Sequence, residues 1–365
     1  MRRIDMKINE KIDTDEKVED DSDKDDTPIP HQYEITSYGA DYTVEMIIGR
    51  LKKGKIFVPD FQRGYVWTVK DASRFVESLL LGLPVPGIFL AVEKNTNKRL
   101  IIDGQQRLES LRRFYDTKFN GKPFKLKGVQ GDLNGKTYHE LSEWNRNRLD
   151  ESTIHATIVE QTHPSEENIN SGFYHIFERL NTGGRALHPQ EIRSCLYHGD
   201  FNNLLSKMNK IPEWREIFRK IHGRMKDQEL ILRFLALFFN EENYQRPMKS
   251  FLNAYMEKNR NLPGEVGEKL EEAFSSTIKF IHNTIGKKAF RPDGVINAAV
   301  FDSSMVGTAR RLSKGEIVNT EDFKQVYEKL LSNEHYRKPC RKATSDEKNV
   351  RDRIRLATEK FDQVK

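Results

Sequence analysis

Apolar residues recur at helical spacing in some stretches of the chain and alternate in others. Val44, Ile47, Ile48 and Leu51 share one helical stripe, with Gly54 placed to end it. Lys55 to Val58 reads as a short strand ended by Pro59, and the run from Asp60 to Trp67 has no period and reads as a loop. Phe75, Val76, Leu79 and Leu80 form the next helical face, closed by Gly82 and Pro84. Gly87 to Glu93 and Arg99 to Asp103 flank the polar turn Asn95-Thr96-Asn97, a hairpin pattern. Gln105 to Asp116 is then a helix with Leu108, Leu111 and Phe114 on its apolar face. Ile154, Ala156 and Ile158 alternate with Thr153, His155 and Thr157, as in a half-buried strand. Phe173, Ile176, Phe177 and Leu180 mark a helix that stops at Asn181-Thr182-Gly183-Gly184. Beyond Pro189 the periodic segments are helical, at 190–198, 213–221, 228–240, 248–259, 265–285, 295–312 and 320–332, and no internal repeat is found. The pattern predicts an α+β N-terminal half followed by an all-helical C-terminal half.

Composition narrows the class. Of 365 residues, 36% are hydrophobic and 32% charged, which suits a real core beneath a solvated surface. No apolar run reaches the roughly 18 residues of a membrane span. The stretch from Leu230 to Phe239 is short and contains Arg233, so a buried core helix is expected there. The N-terminal residues show no apolar h-region, which argues against secretion, and two cysteines, Cys195 and Cys340, make no disulfide framework; a cytoplasmic, reducing setting is expected. Residues 10–26 hold ten Asp/Glu against three Lys, and residues 1–9 carry +2, so the net +6 leaves +11 on the remainder. A body this basic fits a DNA partner or a merely solvated surface, and charge alone leaves both open. The acidic stretch has few apolar residues and is expected to be a disordered tail. The domains expected are 1–32 for that tail, 33–200 for the α+β part and 201–365 for the helices.

One constellation carries chemistry. Arg99-Leu100-Ile101-Ile102 delivers Asp103 to a strand end, Gly104 allows a tight turn, and Gln105, Gln106 and Arg107 fill the first turn of a helix. Unsatisfied amides and the positive end of the helix dipole make such a turn an anion site. Arg107 adds a planar fork for phosphate, while Asp103 can hold Mg²⁺ or orient water. A plain Asp N-cap beside a surface Arg is the competing explanation. Gln62, Arg63, Tyr65 and Trp67 gather stacking and cationic groups in the 60–67 loop, although aromatic side chains there can equally seal the core.

Three ordered runs bear a resemblance. They are Val58-Pro59-Asp60-Phe61-Gln62-Arg63-Gly64-Tyr65-Val66-Trp67, then Glu77 to Pro86, then Ile102-Asp103-Gly104-Gln105-Gln106-Arg107-Leu108. Together they resemble the N-terminal domain of GmrSD-type modification-dependent restriction enzymes, which is similar to the ParB/sulfiredoxin fold. Arg179-Leu180-Asn181-Thr182-Gly183-Gly184, Leu187 and Gln190-Glu191-Ile192-Arg193 extend the likeness over about residues 35–200. The resemblance implies nucleotide binding and hydrolysis coupled to restriction of modified phage DNA. It assigns nucleotide phosphates to Gly104, Gln105 and Arg107, with Asp103 as catalytic or metal-facing carboxylate and Gln106 beside it. Gln62, Arg63 and Tyr65 would line the same pocket, and Asn181 and Arg193 belong to a second motif beside it. Such enzymes usually add a His-Asn-His nuclease. Here Ile281-His282-Asn283 stands without a second His in suitable context, so a separately encoded nuclease subunit is expected.

Weaker signals are set aside. Gly131 to Thr137 imitates a phosphate-binding loop but has three residues between its glycines instead of four. Cys195 and His198 have C-x-x-H spacing without a partner pair. The cations from Arg337 to Arg355 suit either a phosphate-tracking face or a solvated helix. The expectation is thus an Mg²⁺-dependent nucleoside triphosphatase subunit of a DNA-directed defence system, with no membrane partner. The alternative is a non-enzymatic reader of DNA modification or backbone phosphate using the same pocket.

Overall fold

The computed structural model describes residues 16–20, 35–57, 65–93, 96–161, 171–180 and 187–365. In chain order the α+β part runs β1 (Val18–Glu19), β2 (Ile35–Thr43), α1 (Val44–Lys52), β3 (Ile56–Phe57), α2 (Val69–Leu80), β4 (Ile88–Val92), β5 (Arg99–Asp103) and α3 (Gln105–Tyr115). A small hairpin of β6 (Lys118–Phe119) and β7 (Lys122–Pro123) follows, then α4 (Glu143–Glu151), β8 (Thr153–Gln161), α5 (Ser171–Leu180) and α6 (Pro189–Leu196). The helical part comprises α7 (Asp200–Met208), α8 (Pro212–Phe218), α9 (Lys226–Asn240), α10 (Met248–Lys258), α11 (Gly264–Thr284), the short β9 (Ile296–Asn297), α12 (Ala298–Leu312), α13 (Thr320–Ser332), α14 (Glu334–Arg341) and α15 (Glu347–Phe361). The chain forms two compact units: Pro28–His198, and a discontinuous one made of Met1–Thr27 with Gly199–Lys365.

The first unit is a mixed five-stranded sheet of order β2-β8-β4-β5-β3. β4 and β5 pair antiparallel as the hairpin pattern predicts, and β3 lies parallel to β5 at the sheet edge. β8 runs antiparallel to β2 and parallel to β4. The alternation read at 153–158 buries Ile154, Ala156 and Ile158 completely. Those three join one core with Ile88, Leu90 and Ile101 of the sheet and with the apolar stripes of α1, α2 and α3: Val44 and Ile47, Val76 and Leu79, Leu108 and Leu111. Thr43 caps α1, its hydroxyl accepting from the Met46 amide at 3.2 Å. α2 opens on a reciprocal cap, Thr68 with Asp71, which supplies orphan amides of the first turn.

The second unit is helical except for its short β1–β9 pairing. The apolar run is buried as expected from Leu230 to Leu237, while Phe239 at its end is exposed, and the charge within it, Arg233, has buried partners. The guanidinium donates twice to Asp302 of α12, at 3.0 and 2.6 Å, with both side chains no more than 1% exposed. Arg353 of α15 reaches the same carboxylate at 3.1 Å. α12 and α15 meet at Gly307, where a Cβ would lie 3.0 Å from the Ala357 backbone. Helices α7, α14 and α15 were absent from the helical segments predicted by periodicity.

The acidic N-terminal stretch departs from its expectation. Residues 16–20 are not a solvated tail: Val18 and Glu19 pair in parallel with Ile296 and Asn297 of β9. The carboxylate of Asp20 lies 2.7 Å from Lys226 and 3.2 Å from Arg233. Composition alone cannot register cationic partners that lie two hundred residues later in the chain.

Candidate functional site

Asp103 is the last residue of β5, and the strand is irregular just before it. Phe89 pairs with Asp103 while Leu90 pairs with Ile101, so Ile102 is an extra residue on β5. A bulge of this kind re-aims the next side chain out of the strict alternation. Gly104 then turns the chain with φ +99°, in the left-handed region, and begins α3 without any side-chain cap. Glycine is required twice over. A Cβ at Gly104 would stand 2.5 Å from Ile88 Cγ2, a contact that no real side chain tolerates.

Arg107, in the first turn of α3, folds back toward the strand end. Its Nη2 donates to Asp103 Oδ2 at 2.5 Å and to the Gly87 carbonyl at 3.0 Å. Its Nε is buried without a hydrogen-bond partner. The carboxylate is the accessible member of the pair, at 42% side-chain exposure against 16% for the guanidinium. Gly87 is itself held close to β8, since a Cβ there would lie 2.8 Å from the His155 carbonyl oxygen. The start of β4, the end of β5 and the start of α3 therefore converge with backbone in close approach.

Gln106 has a definite partner that its position in the motif did not reveal. Its Oε1 accepts from the backbone amides of Val66, at 2.9 Å, and Trp67, at 3.2 Å. Tyr65 is fastened to the same helix: its hydroxyl meets Ser110 Oγ at 2.7 Å, and the Arg113 guanidinium covers its ring at 4.1 Å. Burial pushes that hydroxyl above its ordinary pKa. Arg113 is held in turn by Glu109, Nε to Oε1 at 2.7 Å. Burial opposes ionisation of Glu109, but hydrogen bonds from Arg112 and Arg113 outweigh it and hold the carboxyl below its usual range. Trp67 packs against the core, edge-on to Phe75 at 5.9 Å between centroids. Its bland explanation, sealing the core, is the one the structure supports, and Tyr65 offers α3 the ring face that stacking would need.

Gln62, Arg63 and Asn181 lie outside the described residues, but both flanks of the 58–64 run are described. Its first flank is β3, which pairs parallel beside β5 through Ile56 with Arg99 and Phe57 with Leu100, so the chain leaves β3 toward the sheet end that bears Asp103. Its second flank is the Tyr65–Trp67 stretch that α3 clamps. Arg193 of α6 is 1% exposed and donates to Gln190 at 3.2 Å on the same helix. Gln105 starts α3 and is partly exposed.

The signals set aside are accounted for. The region around Gly131 forms two short 3-10 turns, Gly131–Leu133 and Tyr138–Glu140, with no strand leading into a helix. His198 Nδ1 meets the carbonyl of Cys195 at 3.3 Å, and the thiol is buried. His282 pairs with Glu216 at 2.9 Å. Arg337 and Arg341 meet Asp293, Arg355 meets Asp352 and Glu359, and Arg353 is wholly buried. Among the described residues no group of three His, Cys, Asp or Glu side chains is arranged to hold a metal. No helix among them is long and apolar enough to cross a membrane.

Comparison with known proteins agrees with the motifs. No curated protein matches the chain significantly. Residues 44–198 match the family described as GmrSD restriction endonuclease, N-terminal domain. The match spans the Asp103–Arg107 turn and every strand of the five-stranded sheet but β2. Residues 44–198, which carry the Asp103–Arg107 motif, are thus similar to the GmrSD restriction endonuclease N-terminal domain family.

Proposed function

We propose that the chain is a nucleotide-binding and NTP-hydrolysing component of a restriction-type, DNA-directed defence system, acting with a separately encoded nuclease. The observation that carries the reading is the Asp103–Arg107 pair at an uncapped helix start, with an exposed carboxylate and a φ +99° glycine between them. The amides of a first turn without a side-chain cap, together with the helix dipole, favour a phosphate there. Arg107 lies in that turn, and a phosphate that takes one arm of its fork displaces Asp103 from the guanidinium. The displaced carboxylate then faces the same phosphate, where it orients an attacking water or shares a cation with it. Glycine at 104 lets the phosphate approach the backbone. Gln106 keeps the flank of the 58–64 run beside the turn, and Gln62 and Arg63 on that run complete the nucleotide pocket, with Asn181 and Arg193 in a supporting motif.

The Asp103 carboxylate at the turn suits Mg²⁺, which is commonly held by one or two carboxylates together with substrate phosphates. Bound in this way, Mg²⁺ would neutralise charge on the transferred phosphoryl group. The basic charge of the chain supports DNA as the macromolecular partner, bound chiefly through phosphates and so weakened steeply by salt.

Phosphate release with each of the four NTPs, with Mg²⁺ and duplex DNA present, tests the reading. The wild type should turn over at least one NTP, and Asp103→Asn should lose turnover by about 10²-fold or more, the scale of an acid–base or metal-holding role. Nucleotide binding without turnover in the wild type would instead mark a reader that uses the pocket without hydrolysis.

A further inference from the structure

The helical unit is completed by a segment that precedes the other unit in sequence. Residues 16–20 add a parallel two-residue ladder to β9 through Val18 with Ile296 and Glu19 with Asn297. Three acidic side chains anchor it. Glu16 takes Arg291 at 2.8 Å, Glu19 accepts from the Asn297 amide at 3.0 Å, and Asp20 enters a socket formed by Lys226 at 2.7 Å and Arg233 at 3.2 Å. The Asp20 side chain is 2% exposed there.

The socket is cationic. Among the described residues Lys226 meets Glu229 as well as Asp20, and Arg233 and Arg353 share Asp302, so Asp20 is one of three buried carboxylates set against three cations. Taking one carboxylate out of such a buried cluster is costly. The occupant, by contrast, is lightly held in apolar terms. Val18 is only half-buried and Lys17 is exposed. A cavity of about 290 Å³ lies alongside, lined by Glu19, Asp20, Asn297, Cys340, Arg341 and Thr344. A short ladder and ion pairs, with space beside them, describe a seated ligand more than a packed core strand.

We propose that the helical unit carries a receptor site for an acidic β-strand peptide, with Lys226 and Arg233 reading a buried carboxylate and β9 reading the backbone. The chain's own residues 16–20 fill it in cis. When they are removed, the site takes the same sequence in trans. The short acidic segment is the ligand of this site, and its charge pattern, carboxylates at 16, 19 and 20, is its recognition code.

The test uses the full chain and a version lacking residues 1–20, each titrated with a fluorescent synthetic peptide of residues 11–24. The truncated chain should bind the peptide saturably and less tightly as salt rises. The intact chain should bind at least about tenfold more weakly, because its tethered segment holds a high effective concentration. A peptide carrying Asp20→Asn should bind about thirtyfold more weakly or worse, as expected for truncating one partner of a buried charge pair. Absence of binding, equal binding by the Asn peptide, or equal binding by the intact chain would each overturn the proposal. In parallel, Asp20→Asn in the full chain should speed tryptic cleavage after Lys17. An unchanged cleavage rate would overturn it as well.

Discussion

Two arginine–aspartate pairs, one in each unit, use the same groups to opposite ends. Arg233 and Asp302 join two helices of the second unit, both wholly buried, with two hydrogen bonds between them and further partners in Arg353 and Asp20. Arg107 and Asp103 join a helix start to a strand end, through a single guanidinium nitrogen, with the carboxylate 42% exposed. The first pair has no room to exchange a partner, and losing one leaves an uncompensated charge in a dry interior. The second can release its carboxylate to water or a ligand at small cost, because exposed ion pairs are weak. Burial, rather than residue type, separates a structural ion pair from a candidate site.

The comparison breaks most visibly at Arg233. Arg233→Ala leaves Asp302 to Arg353 and Asp20 to Lys226, breaks the buried network, and should cost about 3–5 kcal/mol in denaturant unfolding. A loss below about 1 kcal/mol would mean that the buried network is not structural. At the exposed pair the rigid element is the backbone between its members. Gly104→Ala drives a Cβ against Ile88 and strains a left-handed φ, so about 1–3 kcal/mol of stability should go, with nucleotide binding lost alongside. Retained binding at wild-type affinity would show that the turn adapts. Tyr65→Phe removes only the hydroxyl contact to Ser110 and should lower stability by about 1 kcal/mol, read from the urea midpoint.

A smaller effect lies in the acid limb of the stability curve. The folded-state pKa of Glu109 is depressed by Arg112 and Arg113, so its contribution is present above the usual carboxylate range and is lost as pH falls through the folded value. Glu109→Gln should therefore flatten the decline of stability between about pH 5 and pH 3 and leave its slope near pH 8 unchanged. An identical acid limb in the variant would remove Glu109 from the clamp on Tyr65.

Much of the first unit was legible because its elements are set by local pattern. The alternation at 153–158 and the stripe of Leu108, Leu111 and Phe114 each became the buried face that they spell out. Asp103 at the strand end and Gly104 at the turn were likewise readable. What escaped was fixed by long-range pairing. Gln106 looked like a catalytic neighbour, yet its carbonyl is bound to amides about forty residues earlier, at Val66 and Trp67. Tyr65 looked like a stacking platform, yet Arg113 covers its ring. The bulge at Ile102 leaves no mark in the sequence, and the acidic segment reads as solvated until Lys226 and Arg233 are seen around Asp20.

The central claim is that the exposed pair answers to a phosphate. Calorimetric titration of nucleotide into the wild type, Arg107→Ala and Asp103→Asn tests it most directly, with melting curves taken on the same samples. The account predicts that Arg107→Ala weakens binding by about 2–5 kcal/mol, as for removal of one charge from a paired phosphate contact. Asp103→Asn should bind as well as the wild type or better, since it removes both a competitor for the guanidinium and a negative charge beside the phosphate. Wild-type affinity in a folded Arg107→Ala, or a wild type that binds no nucleotide at all, would contradict it.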